Sequence, residues 1–199
     1  MKLVKAEEIK ISEVIKILKN DGLIIYPTET LYGIGVRYDK KNLLRKIFEI
    51  KKRPEEKTFP LIADFKHLSL VVDFIPEAGR KLMDKYWPGP LTILLPAKKG
   101  INEELVNDGK IAIRVPGKSF ALRLIKKLDL PITSTSANIS GTPPAKNIQE
   151  VLKHFQSEDI DLIIDGGQLP GIPSTIVDAT VYPPKILRKG AVEIDLSFD

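Results

Sequence analysis

"LIIYPTETLYGIG", Leu23 to Gly35, runs three apolar residues and a tyrosine into a proline, then sets two threonines around a glutamate before a second tyrosine and two glycines. Pro27 has no amide hydrogen for a sheet ladder, so the strand that begins at Leu23 is expected to end there. Gly33 and Gly35 suit backbone angles that other residues avoid. The segment therefore reads as a loop leaving the carboxyl end of a buried strand. That edge is where ligands bind in open α/β sheets, and this loop brings two hydroxyls, a carboxylate and a phenol to it. A lone "PTET" is equally well a solvated turn whose threonines cap backbone groups, so the rest of the chain has to decide.

Upstream, "SEVIKILKNDG" has helical spacing, with Ser12 as N-cap and Gly22 as stop, so a helix followed by a strand opens the domain. Downstream, Leu43, Leu44, Ile47 and Phe48 form one helical stripe that ends before Pro54, which puts Lys51 and Arg53 at a helix exit. "FPLIADF", "LTILLP", "KIAIRVP", "PITSTS", "IDLIIDGG", "STIVDAT" and "KILRKG" read as strands, with helices at "PEAGRKLMDKYW", "SFALRLIKKLDL" (Ser119 as cap) and "NIQEVLKHF". In "KIAIRVP" Ile111, Ile113 and Val115 share one face, which leaves Arg114 on the other. The expected architecture is a single α/β domain over residues 1–199, with a twisted mixed parallel and antiparallel sheet flanked by helices.

Composition removes several classes of function. The chain has no cysteine and two histidines, His67 and His154, so disulfides, thiol nucleophiles and zinc clusters are out. A metal would need oxygen ligands, which points to magnesium carried on a nucleotide's phosphates. No stretch approaches the roughly 20 apolar residues of a membrane span, and charges break up the N-terminus, so a cytoplasmic protein without membrane attachment is expected. The net charge of +5 and pI near 9.2 favour an anionic partner. Between Lys40 and Lys57 eight basic residues face three glutamates, Glu49, Glu55 and Glu56, although most of that run also suits a solvated helix face.

The chemistry must come from loops placed just past strands. Phosphate-loop, dinucleotide and serine-hydrolase motifs are all missing, and no histidine adjoins a candidate serine. What remains is hydroxyls and fixed cations: "PTETLYG", "KKRP", Arg114, "STSANISG", Ser174 with Thr175, and Arg188. "STSANISG" is by itself an ordinary Ser/Asx turn as readily as a phosphate cradle, and Arg114 requires an anion from either the protein or a ligand. Together these groups suit phosphoryl or nucleotidyl transfer, in which catalysis is positioning and charge neutralisation.

"PTETLYGIG", Lys51-Lys52-Arg53-Pro54, "WPGPLTILL", "IAIRVP", "TSANISG", "PSTIVD" and "LRKGAV" occur in one order along nearly the whole chain. In this the sequence resembles the YrdC family of threonylcarbamoyl-AMP synthases. The resemblance implies a twisted sheet around a concave basic cavity. It also implies a nucleotidyltransferase that makes threonylcarbamoyl-AMP and pyrophosphate from L-threonine, bicarbonate and ATP with phosphate-bound Mg2+. Partner proteins would then pass the threonylcarbamoyl group to tRNA. By motif, Lys51 and Arg53 correspond to the catalytic phosphate-holding pair, and Ser136, Asn138 and Arg188 to nucleotide contacts. Thr30, Tyr32, Arg114, Ser134 and Ser174 correspond to the threonine side, with Tyr32 as wall. Asp64 stands where the family places a histidine beside threonine, Pro144 where a threonine often lies, and the spacer after Arg53 is long. These departures lean toward the YciO-like branch. The extra C-terminal domain of some members is expected to be absent. A nonenzymatic binder of tRNA or double-stranded RNA is the alternative, with a carbamoyl-transfer module of hydrogenase maturation a weaker one.

Overall fold

The computed structural model describes residues 1–54, 57–155 and 160–197, so Glu55 and Glu56 of the basic run lie outside the described residues. In chain order it holds β1 (Lys2–Lys5), α1 (Ile11–Lys19), β2 (Ile24–Pro27), β3 (Tyr32–Gly35), α2 (Lys41–Lys51), β4 (Leu61–Ile62), α3 (Leu68–Val71) and α4 (Glu77–Tyr86). There follow β5 (Leu91–Pro96), β6 (Val106–Asn107), β7 (Lys110–Arg114), α5 (Phe120–Lys127), β8 (Ile132–Thr133), β9 (Thr135–Ser136), α6 (Ile148–His154), β10 (Leu162–Asp165), β11 (Thr175–Asp178) and β12 (Lys185–Arg188).

The opening stretch is a hairpin, which corrects the expected loop. β2 and β3 pair antiparallel from Ile24↔Gly35 to Pro27↔Tyr32, and only residues 28–31 turn. Thr28 Oγ1 builds that turn by accepting from the Thr30 and Leu31 amides, both at 3.1 Å, and donating to the Leu31 carbonyl at 2.8 Å. Neither Gly33 nor Gly35 has a positive φ. They are glycines because the Tyr26 ring lies across them: a Cβ on Gly35 would sit 2.7 Å from Tyr26 Cε1. The tyrosine is fully buried and donates to the Thr133 carbonyl at 2.9 Å.

Two mixed sheets stand where one was expected. The first has the order β1-β10-β2-β3-β9, parallel through β2 and antiparallel beyond it. The second runs β12-β11-β5-β7-β4-β8, with β6 paired to β7. "PITSTS" is the joint between them. Ile132 and Thr133 pair with β4, and Thr135 and Ser136 pair with β3, so Ser134 lies at the crossing from one sheet to the other. Its amide donates to the Pro60 carbonyl at 2.8 Å. A short alternating stretch shows that a strand forms but does not reveal that its halves have different neighbours.

Helices cover the sheets much as the spacing predicts, with local differences. Ser119 caps α5 through the Leu122 amide, as expected, whereas α1 starts from Lys10 and takes Ser12 into its first turn. β1 and α3 were not anticipated. On α2 the buried face is Leu44, Ile47, Phe48 and Lys51. The three apolar side chains each add about 1.5–3 kcal/mol by leaving water, and they join one continuous core with residues from both sheets.

Candidate functional site

A cavity of about 400 Å³ opens between the sheets, within the range typical of small-molecule sites. The β2–β3 turn, Tyr32 and Gly33 form one wall; β4, β5, β7, β11 and β12 supply the other; residues 134–136 cross between them. Of the ten residues assigned by motif, Thr30, Tyr32, Arg53, Arg114, Ser134, Ser136, Ser174 and Arg188 line it. Lys51 and Asn138 do not.

Three guanidinium groups converge on this space, and no carboxylate is among the described residues that line it. Arg53 leaves the C-terminus of α2 and is braced by donating from Nε to the Lys57 carbonyl at 2.8 Å and from Nη2 to the Thr58 carbonyl at 3.0 Å, over the Phe59 ring. Arg188, on β12, donates from Nε and Nη2 to the Ser174 carbonyl at 3.1 and 2.8 Å and also reaches Ser174 Oγ. Burial, and then the charge of Arg114, hold the Arg188 guanidinium below its ordinary range. Arg114 lies on the cavity side of β7, 6% exposed, with Nη1 3.2 Å from Thr30 Oγ1 and 3.4 Å from Glu29 Oε1. The internal ion pair and the cavity-facing arginine, left open from sequence, are both present. Like charges gathered around an open space favour a polyanion, whose binding relieves their repulsion.

The remaining assigned groups hold the walls. Tyr32 is among the lining residues and is fully buried, and its hydroxyl accepts from the Gly166 amide at 2.9 Å and donates to the Gly167 carbonyl at 2.8 Å. Burial pushes that phenol up to about 12. Lys51 is 1% exposed, and its ammonium donates to the carbonyls of Ser136 and Asn138, so it ties down the "SANIS" loop from behind. Asn138 braces the same loop, donating to the Ile139 and Thr142 carbonyls and accepting from Ser136 Oγ at 2.6 Å. In the structure Lys51 and Asn138 therefore support this loop, and neither is among the described residues that line the cavity. A signal for this was present: Lys51 continues the Leu44, Ile47, Phe48 stripe at helical spacing.

Asp64 is likewise engaged locally. Its Oδ1 accepts from the Phe65 amide at 2.8 Å, capping the 3-10 turn Phe65–His67, and it does not line the cavity. His67 is buried in the same turn, also outside the lining. Asp64→Ala is therefore expected to lower stability by about 1 kcal/mol through the lost cap, and Asp64→His to leave threonine binding unchanged. Chemical denaturation and threonine titration check the two outcomes. Pro144 does reach the lining. The sequence assigned no role to Thr92, which lies on the cavity side of β5 with its hydroxyl 2.8 Å from Ser174 Oγ. Alternation along "LTILLP", with Leu91, Ile93 and Leu95 buried in the core, could have found it.

Two mixed sheets clasping an arginine- and hydroxyl-lined cavity define an α/β protein whose cavity has the chemistry to suit a small polyanion. The family model Sua5_yciO_yrdC, described as "Telomere recombination", matches residues 16–190, and the chain belongs to this family. It is 36% identical over 195 residues to a threonylcarbamoyl-AMP synthase of Pyrococcus abyssi, covering 96% of this chain and 57% of that one. The crystal structure of P. abyssi Sua5 complexed with L-threonine superposes with a TM-score of 0.88 at 34% identity, over 96% of this chain and 58% of that one. E. coli YciO gives a TM-score of 0.83 at 29% identity, over 94% and 92%. The chain spans about half the length of the curated synthases it matches. Among the described residues no helix is long and apolar enough to cross a membrane.

Proposed function

We propose that this chain is an L-threonylcarbamoyladenylate synthase. Threonine and bicarbonate condense to N-carboxythreonine with loss of water. The new carboxylate attacks the α-phosphorus of ATP, the bond to the β-phosphate oxygen breaks, and pyrophosphate leaves. The observation that carries this reading is the convergence of Arg53, Arg114 and Arg188 on a cavity whose described lining contains no carboxylate. Arg114, with Thr30, Ser134 and Ser174, suits the amino-acid carboxylate; Arg53, Arg188 and Ser136 suit the phosphates. These preorganised donors stabilise charge that grows on the phosphoryl oxygens without themselves reacting. The names of the relatives and the threonine bound in P. abyssi Sua5 support the same substrate class.

Magnesium fits as a passenger. No cluster of three His, Cys, Asp or Glu side chains suited to a metal occurs among the described residues, and the lining offers hydroxyls in place of carboxylates. Phosphate oxygens and water would complete the ion's octahedron, and the ion would offset charge on the leaving pyrophosphate. The product's transfer to tRNA by partner proteins in the cytoplasm belongs to the same proposal.

Pyrophosphate is expected to appear only when threonine, bicarbonate, ATP and a divalent cation are all present, followed by a coupled phosphate assay with each omitted in turn. Threonine-independent turnover, or no turnover together with tight, salt-sensitive binding of double-stranded RNA, would replace the synthase with the RNA-binding reading.

A further inference from the structure

Glu29, to which neither sequence nor family motif assigned a role, sits in the β2–β3 turn behind Arg114. Its Oε1 is 3.4 Å from Arg114 Nη1 with the side chain 15% exposed, and neither buried carboxylate oxygen has a hydrogen bond within the described residues. Thr30 Oγ1 contacts the same Nη1. No hydrogen bond engages Nε or Nη2 of Arg114 among the described residues, so one corner of the guanidinium is held and the opposite edge is left for a ligand. Gly117 makes room for this: a Cβ there would lie 3.3 Å from Glu29 Cγ.

The geometry points to Glu29 as the positioning residue that aims Arg114, leaving its Nε/Nη2 edge open to receive the amino-acid carboxylate in a two-pronged contact. The assignment of Arg114 to that carboxylate, made above, underlies it. Without the charge on Glu29, Arg114 would be anchored by one neutral hydroxyl against repulsion from Arg188, and a guanidinium free to swing loses the fork geometry that makes arginine selective for carboxylates. Misplacement of about 1 Å in such a group can cost on the order of 10²-fold in rate.

The test compares Glu29→Gln, Gly117→Ala and Arg114→Gln, singly and with Glu29→Gln and Arg114→Gln combined. Glu29→Gln is expected to raise the KM for threonine about tenfold while the KM for ATP stays within about twofold, and to have no further effect once Arg114 is glutamine. Gly117→Ala, which crowds Glu29 without changing either partner, is expected to give the same threonine-specific change more weakly, and it carries the comparison if Glu29→Gln does not fold. Independently of turnover, the Arg114 Nε–H signal in 15N-arginine-labelled protein, assigned by its absence in Arg114→Lys, should broaden in Glu29→Gln. An unchanged signal, or full additivity in the double variant, overturns the proposal. A wild-type protein without threonine-dependent pyrophosphate release, whose Arg114 signal still broadens in Glu29→Gln, sinks the synthase reading and upholds Glu29's hold on Arg114.

Discussion

Arg53→Ala is expected to slow pyrophosphate release by about 10²–10³-fold, the loss of roughly 3–4 kcal/mol that follows removal of one preorganised charge stabiliser. The C-terminus of α2 is the negative end of its dipole and does not attract phosphate, so the side chain has to supply the attraction. Because the Lys57 and Thr58 carbonyls already fix Arg53, substrate binding need not order it. The two carbonyl bonds and the contact with Phe59 together account for about 2 kcal/mol of stability, small beside a typical total of about 5–15 kcal/mol. Circular dichroism should therefore match wild type while the rate falls. Lys40 and Lys41 are the controls. They pair with Asp21 at 3.0 Å and Glu103 at 2.7 Å on the surface, and their alanine variants should stay within about twofold of wild type, since exposed pairs contribute little. Equal losses at all three positions would mean that a diffuse basic face acts in place of a specific cavity.

Lys51→Met is expected to reduce stability by about 3–5 kcal/mol, because the carbonyls of Ser136 and Asn138 lose a buried donor that water cannot easily replace. For a chain of this size that corresponds to a fall in Tm of roughly 10 °C, and activity should fall with it as the "SANIS" loop loosens. Burial, followed by the charge of Arg53, pushes the Lys51 ammonium down from 10.5 to about 7. Below pH 7 both folded and unfolded chains carry this proton and stability does not depend on it. Between 7 and 10.5 the unfolded chain binds the proton more readily, so stability should rise with pH, by up to about 1.4 kcal/mol per unit. Urea denaturation of wild type and Lys51→Met across pH 6–10 isolates the effect: the rise should be present in wild type and missing from the variant. Parallel profiles would show that the carbonyl oxygens around the ammonium restore its ordinary affinity for the proton.

The elements legible in the sequence are those whose pattern is local. α2, α4, α5 and α6 carry apolar residues at a period that only a helix puts on one face, β5 is a short, mostly apolar run, and Ile111 and Ile113 of β7 alternate with Ala112 and Arg114; all these patterns depend on neighbours a few residues away. The Tyr32–Gly35 strand was hidden because its glycines resemble a turn. Their reason lies across the hairpin in the ring of Tyr26. β1 was hidden by its exposure and charge, and it exists through parallel pairing with β10 near the other end of the chain.

The site divides in the same way. Residue types and motif order alone brought out the arginines, the hydroxyl-rich loops and the family, because a polyanion requires fixed cations and close backbone approach wherever they are placed along the chain. The tertiary structure decided which of those groups face the cavity. Lys51 and Arg53 are two residues apart, yet one turns into the core behind the "SANIS" loop and the other into the cavity. Asp64 spends its carboxylate on a local cap, and Glu29 meets Arg114 across 85 positions of sequence. Direction and partnership are set by long-range packing and by burial that makes every polar group find a partner, and neither is written in local spacing.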